Sequence, residues 1–362
     1  MRKIVVLVCF VCLSACETAG FYRQAAGGQI SILARREPID EVIAAPDTSP
    51  ALRERLEKVR QILQFAHDRL ALDPGGRYSS YVRIRGDYVV WNVFAAPEFG
   101  TRPTQWCYPL IGCASYRGYF DRGDATRYAQ HLAATQHDTV VGGVAAYSTL
   151  GWFDDPVLST FVDWPDAELA GLIFHELAHA RLFVAGDTGF DEAFASFVER
   201  RGVIEWLAAN GDDVQIERME RRWRDSDRFV AFLLAWRGEL QRLYDQPYND
   251  DARRLLKFEL LNALETCYRS NRAVFGDQDW FFGKMPNNAR FVPLAAYNEL
   301  ITGFEALYRE VDGVWPEFYA RAREVGRLPI DERTADLQRR GAELRAPDLH
   351  TNAGIACDAL RF

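Results

Sequence analysis

The sequence predicts an α+β protein, with a small β-sheet near the N-terminus followed by a predominantly helical body. Apolar residues recur at helical spacing across residues 49–72, and β-branched and aromatic residues dominate residues 78–99. After residue 164 almost every segment has a helical pattern. The chain has 362 residues, 48% of them hydrophobic, which is enough to bury a sizeable core in one to three domains.

The first residues have the pattern of an export signal. A basic pair precedes an apolar run from Ile4 to Ala15, which is too short to span a bilayer. The run ends in Leu13-Ser14-Ala15-Cys16, and small residues just before a cysteine resemble a bacterial lipobox, where cleavage frees the cysteine for acylation. We therefore expect residues 1–15 to be a lipoprotein signal peptide and Cys16 to carry a lipid. An uncleaved anchor and an ordinary secretory signal are the alternatives.

The lipobox predicts a protein held by its lipid in the bacterial cell envelope and facing the periplasm.

The net charge of the chain argues against a nucleic-acid partner. The whole chain has 43 Lys and Arg against 51 Asp and Glu. Without residues 1–15 the count is 41 against 51, a net charge near −10. A polyanion needs a basic footprint, which this chain lacks.

The cysteines outside the signal predict at least one disulfide. Cys107 and Cys113 lie six residues apart, and Pro109 and Gly112 between them can turn the chain back. In an oxidising compartment this is the best candidate pair. Cys267 and Cys357 form an alternative or additional pair, because connectivity does not follow from sequence alone.

The elements predicted before residue 164 are a lead-in, a helix and a small sheet. Residues 16–48 are the N-terminal lead-in, within which residues 20–45 are polar and weakly helical, and residues 49–163 contain the helix and the sheet. Thr48 or Ser49 can cap the helix. Arg85-Gly86-Asp87 predicts the turn of a hairpin.

A further extended stretch covers residues 139–149. Its part from Gly142 to Tyr147 is either a strand edge that an extended peptide could pair with or an ordinary strand. Residues 164–362 form the helical region, with long amphipathic segments near residues 212–246, 250–273, 290–312 and 314–325.

The strongest chemical signal is His175-Glu-Leu-Ala-His179. Asp163 is a good helix cap and Pro165 suits a first turn, so the motif falls on a helix. His175 and His179 are four residues apart and leave one face of that helix, which lets two nitrogens reach one ion at the roughly 2 Å bond lengths of zinc. Glu176 lies one step round the helix, placed to touch a metal-bound water. This is the arrangement of zinc metalloproteases, with Glu176 as general base.

A catalytic zinc ion usually has three protein ligands and one open position. The chain turns at residues 185–189 and re-enters a helical pattern, which returns the next helix toward the histidines. Glu192 and Glu199 lie on one face of that second helix. Either is a candidate ligand by position, and Asp191 is a weaker one.

The motif and the second helix together resemble the gluzincin metallopeptidases. In the aminopeptidase N group the second element reads Asn-Glu-Gly-Phe-Ala, and here it reads Asp191-Glu-Ala-Phe-Ala195. The resemblance implies Glu192 as the third ligand and Glu199 as a carboxylate that supports a ligand. Only twelve residues separate His179 from Glu192, fewer than is typical, and the Gly-Ala-Met-Glu-Asn motif for the substrate amine is absent.

The chain more closely resembles the family of putative bacterial aminopeptidase lipoproteins. The shared features are the lipobox, Trp106-Cys107 through Gly112-Cys113, Tyr116-Arg-Gly-Tyr-Phe120, residues 146–156, the zinc helix, and Asn287-Asn-Ala-Arg290 with Tyr297. The resemblance implies a zincin-like body, a bound Zn2+ and a peptide substrate.

The expected mechanism needs a hydrogen-bond donor to the developing oxyanion. Tyr297 is the first candidate and Tyr147 the second.

Three functions follow as hypotheses. The first is a zinc aminopeptidase. The second is a zinc endopeptidase of the cell envelope, and the third is a non-catalytic lipoprotein that keeps zinc for structure and binds an envelope partner.

Overall fold

The computed structural model describes residues 20–108, 112–146, 154–283, 285–294 and 300–345 together with Cys357. Over these residues the protein is mostly helical with three small sheets, as the α+β prediction requires. The lipobox with Cys16, and both Tyr147 and Tyr297, lie outside the described residues.

The N-terminal elements surround the first small sheet. Helix α1 covers residues 20–33. Strand β1 (Glu37–Pro38), α2 (Ile39–Ala44) and α3 (Pro50–Leu70) follow. The Ser49 hydroxyl accepts a hydrogen bond from the backbone N–H of Leu52 at 3.2 Å, so the helix predicted over residues 49–72 begins at one of its two expected caps.

The strands form three separate sheets. In the first, β2 (Ser80–Val82) lies between β1 and β8 (Val157–Leu158). In the second, β3 (Val90–Pro97) lies between β6 (Arg117–Tyr119) and β7 (His137–Val144), with α4 (Arg122–Ala133) packed against it. Strands β4 (Trp106–Tyr108) and β5 (Gly112–Ala114) pair with Cys107 opposite Cys113, and a disulfide joins these two cysteines. A second disulfide joins Cys267 to Cys357.

The prediction of a hairpin around Arg85-Gly86-Asp87 was wrong. Strands β2 and β3 flank this turn but belong to different sheets. The eight residues of β3 find their partners in β6 and β7, further along the chain. The local pattern marks both strands correctly as extended, but strand pairing depends on burial against distant elements.

The helical body follows β8. Its elements are α5 (Asp166–Arg181), α6 (Thr188–Ala209), α7 (Asp213–Tyr244), α8 (Asp250–Ser270), α9 (Arg272–Phe275), two 3-10 helices (Asp279–Phe282 and Asn288–Leu294), α10 (Ile301–Glu310), α11 (Trp315–Gly326) and α12 (Ile330–Arg345). The segment predicted as one helix over residues 290–312 is instead a 3-10 helix containing Pro293, followed by α10. Helix α4 was not predicted, and α12 lies in the predicted helical region but outside the four amphipathic segments named from sequence.

Three apolar clusters hold these elements together. The largest joins α3 and the first sheet to α5, α6, α10 and α11, and includes Leu56, Phe174 and Phe318. A second, rich in aromatic rings, lies between α7 and α8, and a small third one fills the space between α4 and the second sheet. Because the largest cluster draws side chains from both sides of residue 164, the elements before that residue help to bury the helix with the histidines. The four-part division of the chain stays a prediction.

Among the described residues, no helix is both long enough and apolar enough to cross a bilayer.

A buried polar junction fixes the second sheet to the helical body. The Lys257 ammonium on α8 lies 2.6 Å from Asp138 Oδ2 on β7 and donates to the Glu98 carbonyl at 2.9 Å. The backbone N–H of Asn288 donates to the same Asp138 oxygen at 2.7 Å. Both partners of the ion pair are largely buried, with 11% and 15% of their side chains exposed.

We expect Lys257→Met to lower the free energy of unfolding by about 3 kcal/mol, because it leaves the buried Asp138 carboxylate without its cation. Denaturant unfolding of the purified protein measures the change. Arg254→Ala is the control, since Arg254 on the same helix pairs with Glu98 while 45% of its side chain is exposed, and its loss should matter much less. Equal losses of unfolding free energy in the two variants would contradict a special contribution of the buried Lys257–Asp138 ion pair.

Candidate metal centre

Helix α5 begins two residues later than the sequence suggested. The expectation that Asp163 caps it was wrong, because Pro165 occupies the cap position and the first turn starts at Asp166. The Asp166 carboxylate lies 2.6 Å from Arg55 and 3.2 Å from Lys58, so two cations of α3 anchor it. These ion pairs fix the start of the helix, and apolar packing on several sides buries the rest of it.

Three side chains from α5 and α6 bring their donor atoms together. The Nε2 atoms of His175 and His179 are 3.1 Å apart. Glu192 Oε2, from the second turn of α6, lies 3.4 Å from the first nitrogen and 3.8 Å from the second. Among the described residues, these three form the group of donors able to share a metal ion.

The spacing of these atoms fits a zinc ion. Zinc bonds of roughly 2.0–2.1 Å in a tetrahedral arrangement place ligand atoms roughly 3.3 Å apart. The three observed separations, 3.1, 3.4 and 3.8 Å, lie around that value. Two imidazoles and one carboxylate are also a donor set that leaves a fourth position for solvent or substrate. The residues therefore fit the group that the motif implies.

Glu199 supports His175 and stands outside the donor group. Its Oε2 atom lies 3.0 Å from His175 Nδ1, the ring nitrogen that points away from the other donors. A carboxylate in this place fixes the orientation of a ligating imidazole and raises its basicity. Gly171, one turn earlier on α5, makes room for it, because a Cβ there would lie 3.3 Å from Glu199 Cγ.

The charges of the cluster favour a cation. Burial opposes protonation of His175, but hydrogen bonds with Glu192 and Glu199 raise its pKa well above the usual value. Burial also opposes ionisation of Glu192, yet the contacts with His175 and His179 lower its pKa to about 2. Without a metal, a proton on His175 thus offsets part of the charge of the two carboxylates, and a divalent cation would offset all of it.

Two polar atoms at this site are buried without a hydrogen-bond partner among the described residues. They are Glu176 Oε2 and His179 Nδ1. Leaving a buried polar atom unpaired costs about 1–3 kcal/mol, so such atoms usually have a functional reason. For Glu176 a water bound beside the histidines would provide the partner.

Asp191, the weaker candidate ligand, instead holds the loop between α5 and α6. It is 3% exposed, and its Oδ1 atom accepts a hydrogen bond from the backbone N–H of Val184 at 2.7 Å. Burial raises the pKa of Asp191 to about 7, against the opposing effects of that hydrogen bond and of His179. The residue before Glu192 thus needs a short side chain that can accept a hydrogen bond from the loop, which an aspartate provides.

The sequence did not single out Tyr78 and Tyr116 as site residues. Burial and the charge of Glu176 raise the pKa of Tyr78, whose backbone has a left-handed φ of 58°. Loss of hydration around the phenol raises the pKa of Tyr116 as well, although 44% of the residue's surface is exposed, and the charges of Glu192 and Glu176 add to the effect. Tyr116 stands in the motif Tyr116-Arg-Gly-Tyr-Phe120, but the motif alone gives no hint that its phenol lies near the carboxylates.

We expect Glu192→Ala to lose zinc from the purified protein, and Glu199→Ala to keep zinc with an affinity about 10- to 100-fold lower. The reason is that Glu192 is in the donor group and Glu199 acts through His175. Metal analysis after gel filtration and chelator competition measure the two effects. Glu168→Ala, on α5 but paired with Arg222, is the control. Zinc retained by Glu192→Ala and lost by Glu199→Ala would reverse the assignment.

Comparison with known proteins gives one family match. A family model with the description "Putative aminopeptidase" matches residues 20–337. The match spans both helices of the site and includes every donor residue. No curated protein and no solved structure matches the chain.

Proposed function

Because the chain belongs to the putative aminopeptidase family, we propose that it is a zinc-dependent aminopeptidase in which His175, His179 and Glu192 hold the metal. The observation that carries this proposal is the convergence of the three donor atoms beside Glu176. A purely structural zinc site has no use for an open position next to a buried, unpartnered carboxylate. The family description supplies the class of substrate.

When bound, zinc would polarise the scissile carbonyl and lower the pKa of water toward neutrality. Glu176 takes the proton of the attacking water and returns it to the leaving amine. Its buried Oε2 atom has no competing partner among the described residues, which leaves it available for this transfer. Glu199 keeps the His175 ring in the required orientation through the 3.0 Å contact.

The oxyanion that develops during the attack needs a hydrogen-bond donor. Tyr116 is one described candidate, because the charges of Glu192 and Glu176 both raise the pKa of its phenol, and Tyr78, on which the charge of Glu176 acts, is another. Tyr297, the first candidate from sequence, stays a prediction.

The location of the protein belongs to the same proposal. The lipobox ending in Cys16 supports a lipid-anchored protein of the cell envelope, and peptides in that compartment would be its substrates. A zinc endopeptidase would use the same site without recognising a free amino terminus. A non-catalytic zinc protein would have the site without turnover.

We expect Glu176→Gln to keep its zinc and to lower kcat for an amino-acid anilide about 10²- to 10⁴-fold, because the amide cannot accept the proton of water. Zinc content and kcat are measured on the same preparation. Glu168→Gln, also on α5, is the matched control and should retain the activity of the unmodified protein. Undiminished turnover by Glu176→Gln would exclude this mechanism.

The same assay separates the three hypotheses. An aminopeptidase cleaves the free anilide and not its N-acetylated form, and an endopeptidase cleaves N-blocked peptides. Zinc binding with no hydrolysis of either substrate would favour the non-catalytic hypothesis.

We expect Tyr116→Phe to lower kcat about 10²- to 10³-fold without loss of zinc, since one oxyanion donor contributes that much. Steady-state kinetics at saturating substrate give the value. The control is Tyr88→Phe, which changes a tyrosine of similar exposure, 42% against 44% for Tyr116, that packs against Trp91. A Tyr116→Phe enzyme as fast as the control would assign the role to another residue.

A further inference from the structure

The position of the Glu192 carboxylate depends on where α6 begins. Helix α5 ends at Arg181, two residues after His179, and the chain re-enters a helix at Thr188. Asp187 caps α6, because its Oδ1 atom accepts a hydrogen bond from the backbone N–H of Phe190 at 3.1 Å. Glu192 follows five residues later. Any movement of this cap therefore shifts Glu192 relative to the two histidines.

One cation from the C-terminal part of the chain reaches the cap. Arg333 on α12 is 8% exposed, and its Nε atom lies 2.9 Å from Asp187 Oδ2 in an ion pair that lacks hydrogen-bond alignment. Its Nη1 atom donates to the Gly326 carbonyl at the end of α11 at 2.8 Å. The guanidinium also lies 5.7 Å from the centre of the Phe190 ring. Arg333 thus connects α12, α11 and the first turn of α6.

The acids at the N-terminus of α6 favour a cation at this position. Asp187, Asp191 and Glu192 are three acids within six residues, and the first two are almost completely buried. The helix dipole favours acids in a first turn, but three together also repel one another. A buried carboxylate that loses its cationic partner is strongly destabilised. Arg333 supplies the partner for Asp187 and leaves Asp191 free to hold Val184.

We propose that Arg333 is a positioning residue of the metal site, which through the Asp187 cap sets the reach of Glu192 to His175 and His179. The proposal rests on the proposed function only in taking these three residues as zinc ligands. Residues that orient a ligand typically change metal affinity 10- to 100-fold when removed. The helix that carries Arg333 contributes no donor atom to the site, so the effect is transmitted through α6.

The test compares zinc affinity in Arg333→Met and in the unmodified protein by competition with a chromogenic chelator at one pH. We expect the dissociation constant for zinc to rise about 10- to 100-fold. At saturating zinc, kcat should return to within a few-fold of the unmodified value, because no catalytic group has been removed. Free energies of unfolding are measured alongside, in the presence of chelator. Zinc affinity unchanged in a folded Arg333→Met protein would overturn the proposal.

Two further variants complete the experiment. Arg339→Met is the matched control and should bind zinc as the unmodified protein does. Arg339 lies on the same helix, but its ion-pair partners among the described residues are Asp336 and Glu343 of that helix. Asp187→Asn keeps an oxygen for the cap and removes the charge that Arg333 meets. We expect it to weaken zinc binding to a similar degree.

If Arg333→Met does not fold, Asp187→Asn decides the question, and an unchanged zinc affinity in that variant overturns the proposal. Failure of the proposed function would look different. In that case the unmodified protein itself would not bind zinc, or would bind it without hydrolysing peptides.

Discussion

The contact between α5 and α6 is the interaction on which the candidate site depends. One helix carries both histidines and Glu176, and the other carries Glu192 and Glu199. Close packing of these two helices, with Gly171 on α5 and Gly202 on α6 at crowded positions, brings the five side chains together. The small sheets and the helices around them bury this pair. A site built from two packed helices holds its donors more rigidly than one built from loops.

Burial and charge act together at this site. The packing that excludes water from the two helices makes every carboxylate there costly unless a positive charge lies next to it. For Glu192 and Glu199 this charge comes from a proton on His175 or from a metal ion that would replace it. For Asp187, at the start of α6, it comes from Arg333. The acids are thus balanced at two separate places, and Asp191 between them remains easily protonated.

The sequence predicted those parts of the structure that depend on local chemistry. The spacing of His175 and His179 places them on one face of a helix. Ser49 caps α3 through a hydrogen bond to a residue only three positions away, so the cap could be predicted from the local sequence. The choice between Glu192 and Glu199 was not local, and required the family resemblance, because both lie on the same face of α6.

The missed features depend on contacts between distant residues. Tyr116 approaches Glu192 across more than seventy residues of sequence. No local pattern records that Arg333 would meet Asp187, because the pairing exists only once α12 has folded onto α10 and α11. The hairpin around Gly86 was wrong for the same reason, since β3 pairs with later strands.

Gly171 shows how a residue without a side chain can control a polar site. A methyl group at this position would lie 3.3 Å from Glu199 Cγ and from Val203 Cγ2, which is tighter than an ordinary contact. The side chains of Glu199 and Val203 would have to move by a few tenths of an ångström, and the movement of Glu199 would disturb its contact with the imidazole. The size of the side chain at residue 171 therefore affects a histidine one helical turn away, although Gly171 itself offers nothing that could bind a metal or a substrate.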